Sequence, residues 1–339
     1  MNNFFQNKTV LITGACGTVG TELVRQVVGQ GAARIVCIDN NESELFFLQQ
    51  AYRTSGIVEC YLGDVRDLDG LKLRCQGIEV VLHAAALKHV PLCEDSPAQA
   101  VRTNIDGTQN VIDAAITNNV ERVIFTSTDK AVNPTNVMGT SKLMGERLMT
   151  AAALSNRNTD TVFASTRFGN VLGSRGSVIP LFKRQIVQGG PITLTDREMT
   201  RFIMTLEEAT GLVLSSAAMA KGGEVFVTKM PVARIEGIAH YLRDRLAEGR
   251  AIEITEIGAK PGEKMYEELM NDEEVRRSYE IDDFFLVLPA FAHTDHVRYA
   301  LAADRPQPDR PYNSAHEPAM GQAELAEYLD ARNILGVAS

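Results

Sequence analysis

Apolar residues recur in two alternating rhythms through the first half of the chain. Continuous short runs at Thr9–Thr13, Arg34–Asp39, Val58–Leu62, Val80–His83 and Val123–Ser127 read as strands buried on both faces. Between them, Val19–Gln30, Glu42–Arg53, Ala98–Asn118 and Met138–Ser155 carry the helical spacing of about 3.6 residues. Thr161–Arg167 predicts a sixth strand, and Glu224–Thr228 one more that returns to the sheet. Strands alternating with helices predict an α/β fold, a doubly wound parallel sheet covered on both faces.

After Asn170 the rhythm breaks at Gly173–Gly176 and again at Gly189-Gly190-Pro191. Gly249–Lys264 and the tail from Pro289 read as irregular, and Gly321–Leu335 predicts a terminal helix. Two parts are expected: a large domain over 1–170 with a returning segment near 201–235, and a smaller C-terminal lobe from 171–200 and 240–339.

Bulk composition narrows the classes. Apolar residues make up 45% and charged residues 23% of the 339, as in ordinary globular proteins. A net charge of −9 excludes a broad nucleic-acid surface, which needs a basic stripe. Cys16, Cys37, Cys60, Cys75 and Cys93 form no C-x-x-C pair, which predicts buried thiols in a reducing compartment. No apolar run approaches the roughly 18 residues of a membrane span, and Met1–Lys8 has no signal-peptide core, so a cytoplasmic location is expected. His293 and His296 lack the surrounding ligands of a metal site, and no metal is expected.

Chemistry enters with Thr13-Gly14-Ala15-Cys16-Gly17-Thr18-Val19-Gly20, between the first strand and the first helix. Glycines there let the backbone turn tightly and approach a pyrophosphate at a helix N-terminus. Asp39 ends the second strand, where it can accept from both ribose hydroxyls and repel a 2′-phosphate. Asn40 and Asn41 follow it, with no arginine, which favours NAD over NADP. Asp64 and Val65, after the third strand, are placed to hold and cover an adenine, or else form a surface turn. Ala84, Ala85 and Ala86 are small enough for a cofactor to lie against them. Asp129 and Lys130 set an acid beside an amine at the carboxyl edge of the sheet, where ligands bind in such folds. One donates a proton and the other accepts one, which suits elimination of water.

Three stretches then resemble one family: Ala84–Pro91, Thr128-Asp129-Lys130-Ala131-Val132-Asn133-Pro134, and Arg167–Ser174. Gly176–Phe182, Met199-Thr200-Arg201-Phe202, Pro261-Gly262-Glu263-Lys264 and Tyr312-Asn313-Ser314 extend the likeness. The family is the UDP-N-acetylglucosamine 4,6-dehydratases, which are extended short-chain dehydrogenases of Rossmann type, and the chain resembles their soluble catalytic part. The resemblance implies a nucleotide-sugar-binding C-terminal lobe and a homo-oligomer. It also implies a reaction in which NAD removes hydride from C4 of UDP-N-acetylglucosamine, C5 is deprotonated, the 6-hydroxyl leaves, and hydride returns to C6. Asp129 is then the acid at C6, Lys130 the base at C5, Thr128 the partner of the C4 oxygen, and Lys142 the anchor of the nicotinamide ribose. Lys130 is expected to be partly neutral.

Met138 stands where many enzymes of this layout carry a tyrosine; the site is then inactive, or Met138 is a helix core residue with the tyrosine's work done elsewhere, or, as the resemblance implies and as is favoured here, it marks the methionine-bearing subfamily that retains the C5 configuration. A thioether carries no transferable proton, so the C4 proton must go to Asp129, Lys130 or water, with Thr128 as a relay. The resemblance further implies Asn104, Ser127, Val171 and Lys88 at the cofactor. It places Lys88, Asn170, Ser177, Val178, Thr193, Arg201, Lys260 and Glu263 at the substrate, with Arg201 on a phosphate.

Overall fold

A computed structural model describes residues 3–155, 160–174, 177–258, 264–291, 302 and 304–336. Nine strands form the large sheet: β1 (Thr9–Thr13), β2 (Arg34–Asp39), β3 (Val58–Leu62), β4 (Val80–His83), β5 (Arg122–Thr128), β6 (Val162–Phe168), β7 (Val225–Thr228), β8 (Ser278–Ile281) and β9 (Phe284–Val287). Their order is β8-β9-β7-β6-β5-β4-β1-β2-β3. The seven from β3 to β7 run parallel, and the β8–β9 hairpin adds antiparallel to β7.

Alternate residues of each strand feed two cores. Val10, Ile12, Val80 and Ile124 face one side, against Leu23 and Val27 of the Thr18–Gly29 helix and Val213 and Ala217 of the Leu206–Met219 helix. Leu11, Val81, Val123 and Phe125 face the other, against Val111 and Ile112 of the Gly107–Thr117 helix and Met149 of the Val137–Ala153 helix. Burial on both faces explains the unbroken apolar runs of the strand sequences.

Two departures from the sequence reading bear on the site. The single helix expected over Ala98–Asn118 is interrupted by a π-helical turn at Val101–Asp106, before the Gly107–Thr117 helix. Such a turn re-aims side chains and is common at functional sites; here it carries Asn104. Residues 278–287, assigned by sequence to the lobe, belong to the large sheet. The lobe's own core gathers Leu172, Phe182, Ile192, Ile238, Leu242 and Leu325 from the Val178–Val187, Ile235–Leu246 and Gln322–Ala331 helices and the short strands between them. Among the described residues, no helix is long and apolar enough to cross a membrane.

Candidate active site

The glycine turn is shaped by close approach. Gly14 has φ +66°, and a Cβ there would lie 2.7 Å from the Ala85 backbone; one on Gly20 would lie 2.0 Å from the Gly14 carbonyl oxygen. These two positions accept only glycine. A Cβ on Gly17 would meet only the Gly14 oxygen, at 3.2 Å, so the turn is otherwise open there. Gly17 is also the N-cap of the Thr18–Gly29 helix, so no side chain caps the first-turn N–H groups of Thr18, Val19 and Gly20.

Asp39 ties this turn to the end of β2. Its Oδ2 accepts from Cys16 N–H at 2.9 Å and its Oδ1 from Asn41 N–H at 2.9 Å. Asp64 is more heavily committed. It accepts from Arg66 N–H and Nε, both at 2.9 Å, from Arg66 Nη2 at 2.5 Å and from Asn40 Nδ2 at 3.3 Å. The Arg66 guanidinium holds its carboxyl down at about 2, despite the opposing effect of burial. Its four acceptor positions are filled, so an adenine amino group would have to displace Arg66 or Asn40. Val65 is buried against Gly107, and Ala84, Ala85 and Ala86 line the end of β4 half-buried.

Asn104 braces the next loop. Its Oδ1 accepts from Leu87 N–H at 2.8 Å, while its Nδ2 donates to Leu87 C=O at 2.9 Å and to Ser141 Oγ at 2.8 Å. It therefore positions the Ala86–Lys88 loop and has no amide group turned outward; Lys88 itself is exposed. His83 bridges Thr13 Oγ1 (2.7 Å) and Thr108 Oγ1 (3.1 Å) in full burial, which pushes its imidazole down to about 3, with the Lys142 charge adding to the effect. It is neutral at physiological pH.

At the end of β5 the backbone enters a single 3₁₀ turn, Asp129–Ala131. Thr128 Oγ1 donates to Asp129 Oδ1 at 2.7 Å. The Lys130 ammonium donates to both Asp129 oxygens, at 3.2 and 3.1 Å. Asp129 is buried, whereas 36% of the Lys130 side chain is exposed. Burial pulls Lys130 down, but the Asp129 and Glu267 carboxylates outweigh it and hold the amine above its usual range. This reverses the expected direction: before any ligand enters, Lys130 is an ammonium. Ser127 lies buried beside this turn, and its hydroxyl has no hydrogen-bond partner in the protein.

A carboxylate not anticipated from the sequence completes the cluster. Glu267 is buried, accepts from Asn170 Nδ2 and from Phe202 N–H (3.2 Å), and lies 3.4 Å from Arg201 Nε. Burial and the neighbouring Asp129 charge push its carboxyl up to about 7, against the pull of Lys130, Arg201 and Asn170. Ser314 fixes its backbone from both sides, donating N–H to Glu267 C=O at 2.8 Å and accepting from Glu267 N–H at 2.9 Å. Nothing in the sequence sets Glu267 apart from its neighbour Glu268; only the fold buries the one and leaves the other half-exposed.

Lys142 is buried; its Nζ donates to Thr126 C=O at 2.5 Å and lies 3.9 Å from the centroid of the Phe125 ring. Burial pushes its amine down to about 7, only partly offset by Glu146. Met138, one turn earlier, packs with Cys93 and Ala100 in a small apolar cluster that seats the Val137–Ala153 helix on the Val90–Asp95 helix.

The lobe positions are unevenly placed. Arg201, expected on a phosphate, turns inward: it donates to Thr200 C=O (2.7 Å), Met265 C=O (3.2 Å) and Lys264 C=O (2.9 Å) besides facing Glu267. Its guanidinium holds the protein together here and offers no free fork to a phosphate. Asn170 is drawn to Glu267, and Val171 is buried in the short strand Asn170–Val171. Thr193 is held by the Gln185 amide. Ser177 is the N-cap of the Val178–Val187 helix, yet its hydroxyl does not cap it and has no hydrogen-bond partner among the described residues. Lys260, Glu263, His293 and His296 lie outside the described residues.

Residues 10–289 match the family described as "Polysaccharide biosynthesis protein". The chain belongs to that family. It is 48% identical over 294 residues to the uncharacterized membrane protein MJ1061 of Methanocaldococcus jannaschii, covering 85% of this chain and 88% of that one. It is 37% identical over 292 residues to a UDP-N-acetylglucosamine 4,6-dehydratase (inverting) of Campylobacter jejuni, covering 86% of each. It is also 37% identical over 305 residues to a UDP-glucose 4-epimerase of Rickettsia massiliae, covering 89% of each. Among solved structures, Pen from Bacillus thuringiensis superposes with a TM-score of 0.89 at 40% identity, covering 97% of this chain and 98% of that chain. The fold is that of the extended short-chain dehydrogenases, and the relatives include both a dehydratase and an epimerase.

Proposed function

We propose that this polysaccharide-biosynthesis family member is an NAD-dependent UDP-N-acetylglucosamine 4,6-dehydratase that retains the C5 configuration. The observation that carries the reading is the Thr128–Asp129–Lys130 turn: an acid and an amine, hydrogen-bonded to each other, at the carboxyl edge of the sheet, with β4 between it and the glycine cradle. An epimerase has to move only hydride and one hydroxyl proton; an acid–base pair is needed when water must leave.

The residues present fit NAD. Gly17 leaves the turn open above an uncapped helix N-terminus, the natural seat of a pyrophosphate. The Asp39 oxygens each retain a lone pair for ribose, and the unpartnered Ser127 hydroxyl lies at the strand end beside the reacting turn. NAD supplies the hydride acceptor at C4 and the hydride donor at C6. Lys142, on the helix after that turn, would hold the nicotinamide ribose through its amine, which here donates to the Thr126 carbonyl.

The proton path follows from the hydrogen bonds. Thr128 passes the C4 hydroxyl proton to Asp129 along its 2.7 Å bond, which turns Asp129 from carboxylate into acid. Asp129 then protonates the departing 6-hydroxyl, so the C4 proton leaves in the water. Lys130, as free amine, takes the C5 proton and returns it when hydride reaches C6. Asp129 ends as the carboxylate with which it began. This route dispenses with the tyrosine that Met138 replaces.

Incubation with UDP-N-acetylglucosamine tests the reading: a product lighter by one water is expected. An isobaric product would favour the epimerase reading, which the Rickettsia relative supports. Proton NMR of the product formed in D₂O reads C5, and an inverted centre would overturn the retention assignment.

A further inference from the structure

We propose that Lys264 is a positioning residue for the reacting turn: it fixes the loop that leaves Lys130 relative to the strands carrying Asn170 and Arg201. The inference rests on the dehydratase reading and deepens it. That reading asks Asp129 and Lys130 to meet C6 and C5 of one sugar ring, so the turn that carries them must be held against the rest of the site. The two ends of the turn are held unequally. Thr128 closes the ladder of β5 against Phe168 of β6. Lys130 C=O is met from one side by the helix that follows, where a Cβ on Gly139 would lie 2.2 Å from it. Beyond Ala131 the chain leaves regular structure. Val132 N–H still reaches Asp129 C=O at 3.0 Å, but Asn133 turns into the left-handed region at φ +43°, and Pro134 brings no N–H.

Lys264 supplies what this loop lacks. Its Nζ donates to Val132 C=O at 3.2 Å and to Asn133 C=O at 2.9 Å, so one side chain grips two consecutive carbonyls from far along the chain. Glu268 adds a second hold, accepting from Asn133 Nδ2 at 2.7 Å. The backbone of the same segment is fastened in the other direction. Lys264 C=O accepts from Arg201 Nη2 at 2.9 Å, and Met265 C=O accepts from Arg201 Nη1 at 3.2 Å and from Thr200 N–H at 3.1 Å. The Thr200–Met204 strand in turn pairs with Asn170–Val171. One residue thus bridges two parts of the site: its side chain holds the loop behind Lys130, and its carbonyl holds the strand pair of Asn170 and Arg201. A lysine suits this task, with three donors on a long stem and nothing to accept. Thr128 does not depend on the bridge, because the β5 ladder holds it. Loss of Lys264 therefore misplaces Lys130 and spares Thr128.

The test is Lys264→Met in the full chain with NAD bound, which keeps the stem and removes the donors. In this variant kcat for dehydration falls by about tenfold or more, while KM stays within about twofold of wild type. Reduced nicotinamide, read by its absorbance, builds up during turnover, because the C4 step at Thr128 proceeds while deprotonation at C5 lags. Lys264→Arg, which can still donate to both carbonyls, recovers most of the loss. An unchanged kcat would overturn the proposal. So would a fall in kcat without reduced nicotinamide, which a general loss of structure gives, or a rise in KM alone, which a substrate ligand gives. An arginine variant no better than the methionine variant would overturn it too. Should Lys264→Met not fold, Lys264→Gln, with one donor group on a shorter stem, is read by the same criteria. A wild type that removes no water from UDP-N-acetylglucosamine would instead overturn the dehydratase reading on which the proposal rests.

Discussion

Two clusters of buried charge flank strand β6, and they are built to opposite ends. In one, Arg167 at the end of β6 is clasped by Glu146 and Glu274, with hydrogen bonds of 2.6 to 3.0 Å to each and a further bond to Leu269 C=O at 2.7 Å. All three side chains are at most 4% exposed. Burial works against the Glu274 charge, but Arg167 outweighs it and holds that carboxyl below its usual range. In the other, Asp129, Lys130, Arg201 and Glu267 meet with longer contacts and one half-open member, and Glu267 is pushed up instead. The same residue types thus hold one carboxyl below its usual range and push another above it. What separates them is stoichiometry and geometry: one guanidinium saturates two carboxylates in the first, whereas in the second an ammonium and a guanidinium face two carboxylates through longer contacts.

The difference can be broken most sharply at Lys130. Lys130→Ala should lower dehydration by about 10³-fold while NAD content and thermal stability stay near wild type, read by mass spectrometry of the sugar nucleotide and by thermal denaturation. Near-normal turnover would remove Lys130 from the chemistry. Arg167→Ala should do the converse. Two buried carboxylates lose their partner, which costs about 3–5 kcal/mol and shows as a large fall in Tm or in soluble yield. An unchanged Tm would mean the brace is ornamental.

Stability against pH sharpens the contrast further. Glu274 lies below its ordinary 4.5 in the folded state, so its contribution is present above that value and is lost as pH falls through the folded one. Glu267 lies above its ordinary 4.5, so its contribution is present below 4.5 and is lost as pH rises through about 7. Glu267→Gln should therefore gain Tm relative to wild type between about pH 5 and 8, while the deficit of Glu274→Gln shrinks on acidification. Parallel curves for both variants would dissolve the distinction. Smallest of all, Met138→Leu should cost less than about 1.5 kcal/mol and leave turnover nearly intact, because Met138 packs with Cys93 and Ala100 and moves no proton. A large loss of turnover would return it to the mechanism.

The two halves of the site differed in how far sequence could reach them. The cradle was legible because its requirements are local: Gly14 and Gly20 answer to backbone atoms within a few residues or on the adjacent strand, and strands β1 to β4 end where their apolar runs end. Asp129 and Lys130 were legible because they are neighbours in the chain. The state of Lys130 was not, since it depends on Glu267, which only tertiary packing brings near. The inward commitment of Arg201 was hidden for the same reason, its donors going to the Lys264 and Met265 carbonyls and to Glu267, far along the chain. The π-helical turn carrying Asn104 escaped the helical period because one added residue leaves the apolar spacing on either side intact.

The Ser314 clamp on Glu267 has a consequence for the order in which the molecule is made. Strands β1 to β6 and the cradle are complete once the chain has been synthesised to about residue 168, but Glu267 has no backbone anchor until Ser314 has emerged from the ribosome. A nascent chain can therefore fold its glycine cradle early while the cluster around Glu267 is still unassembled.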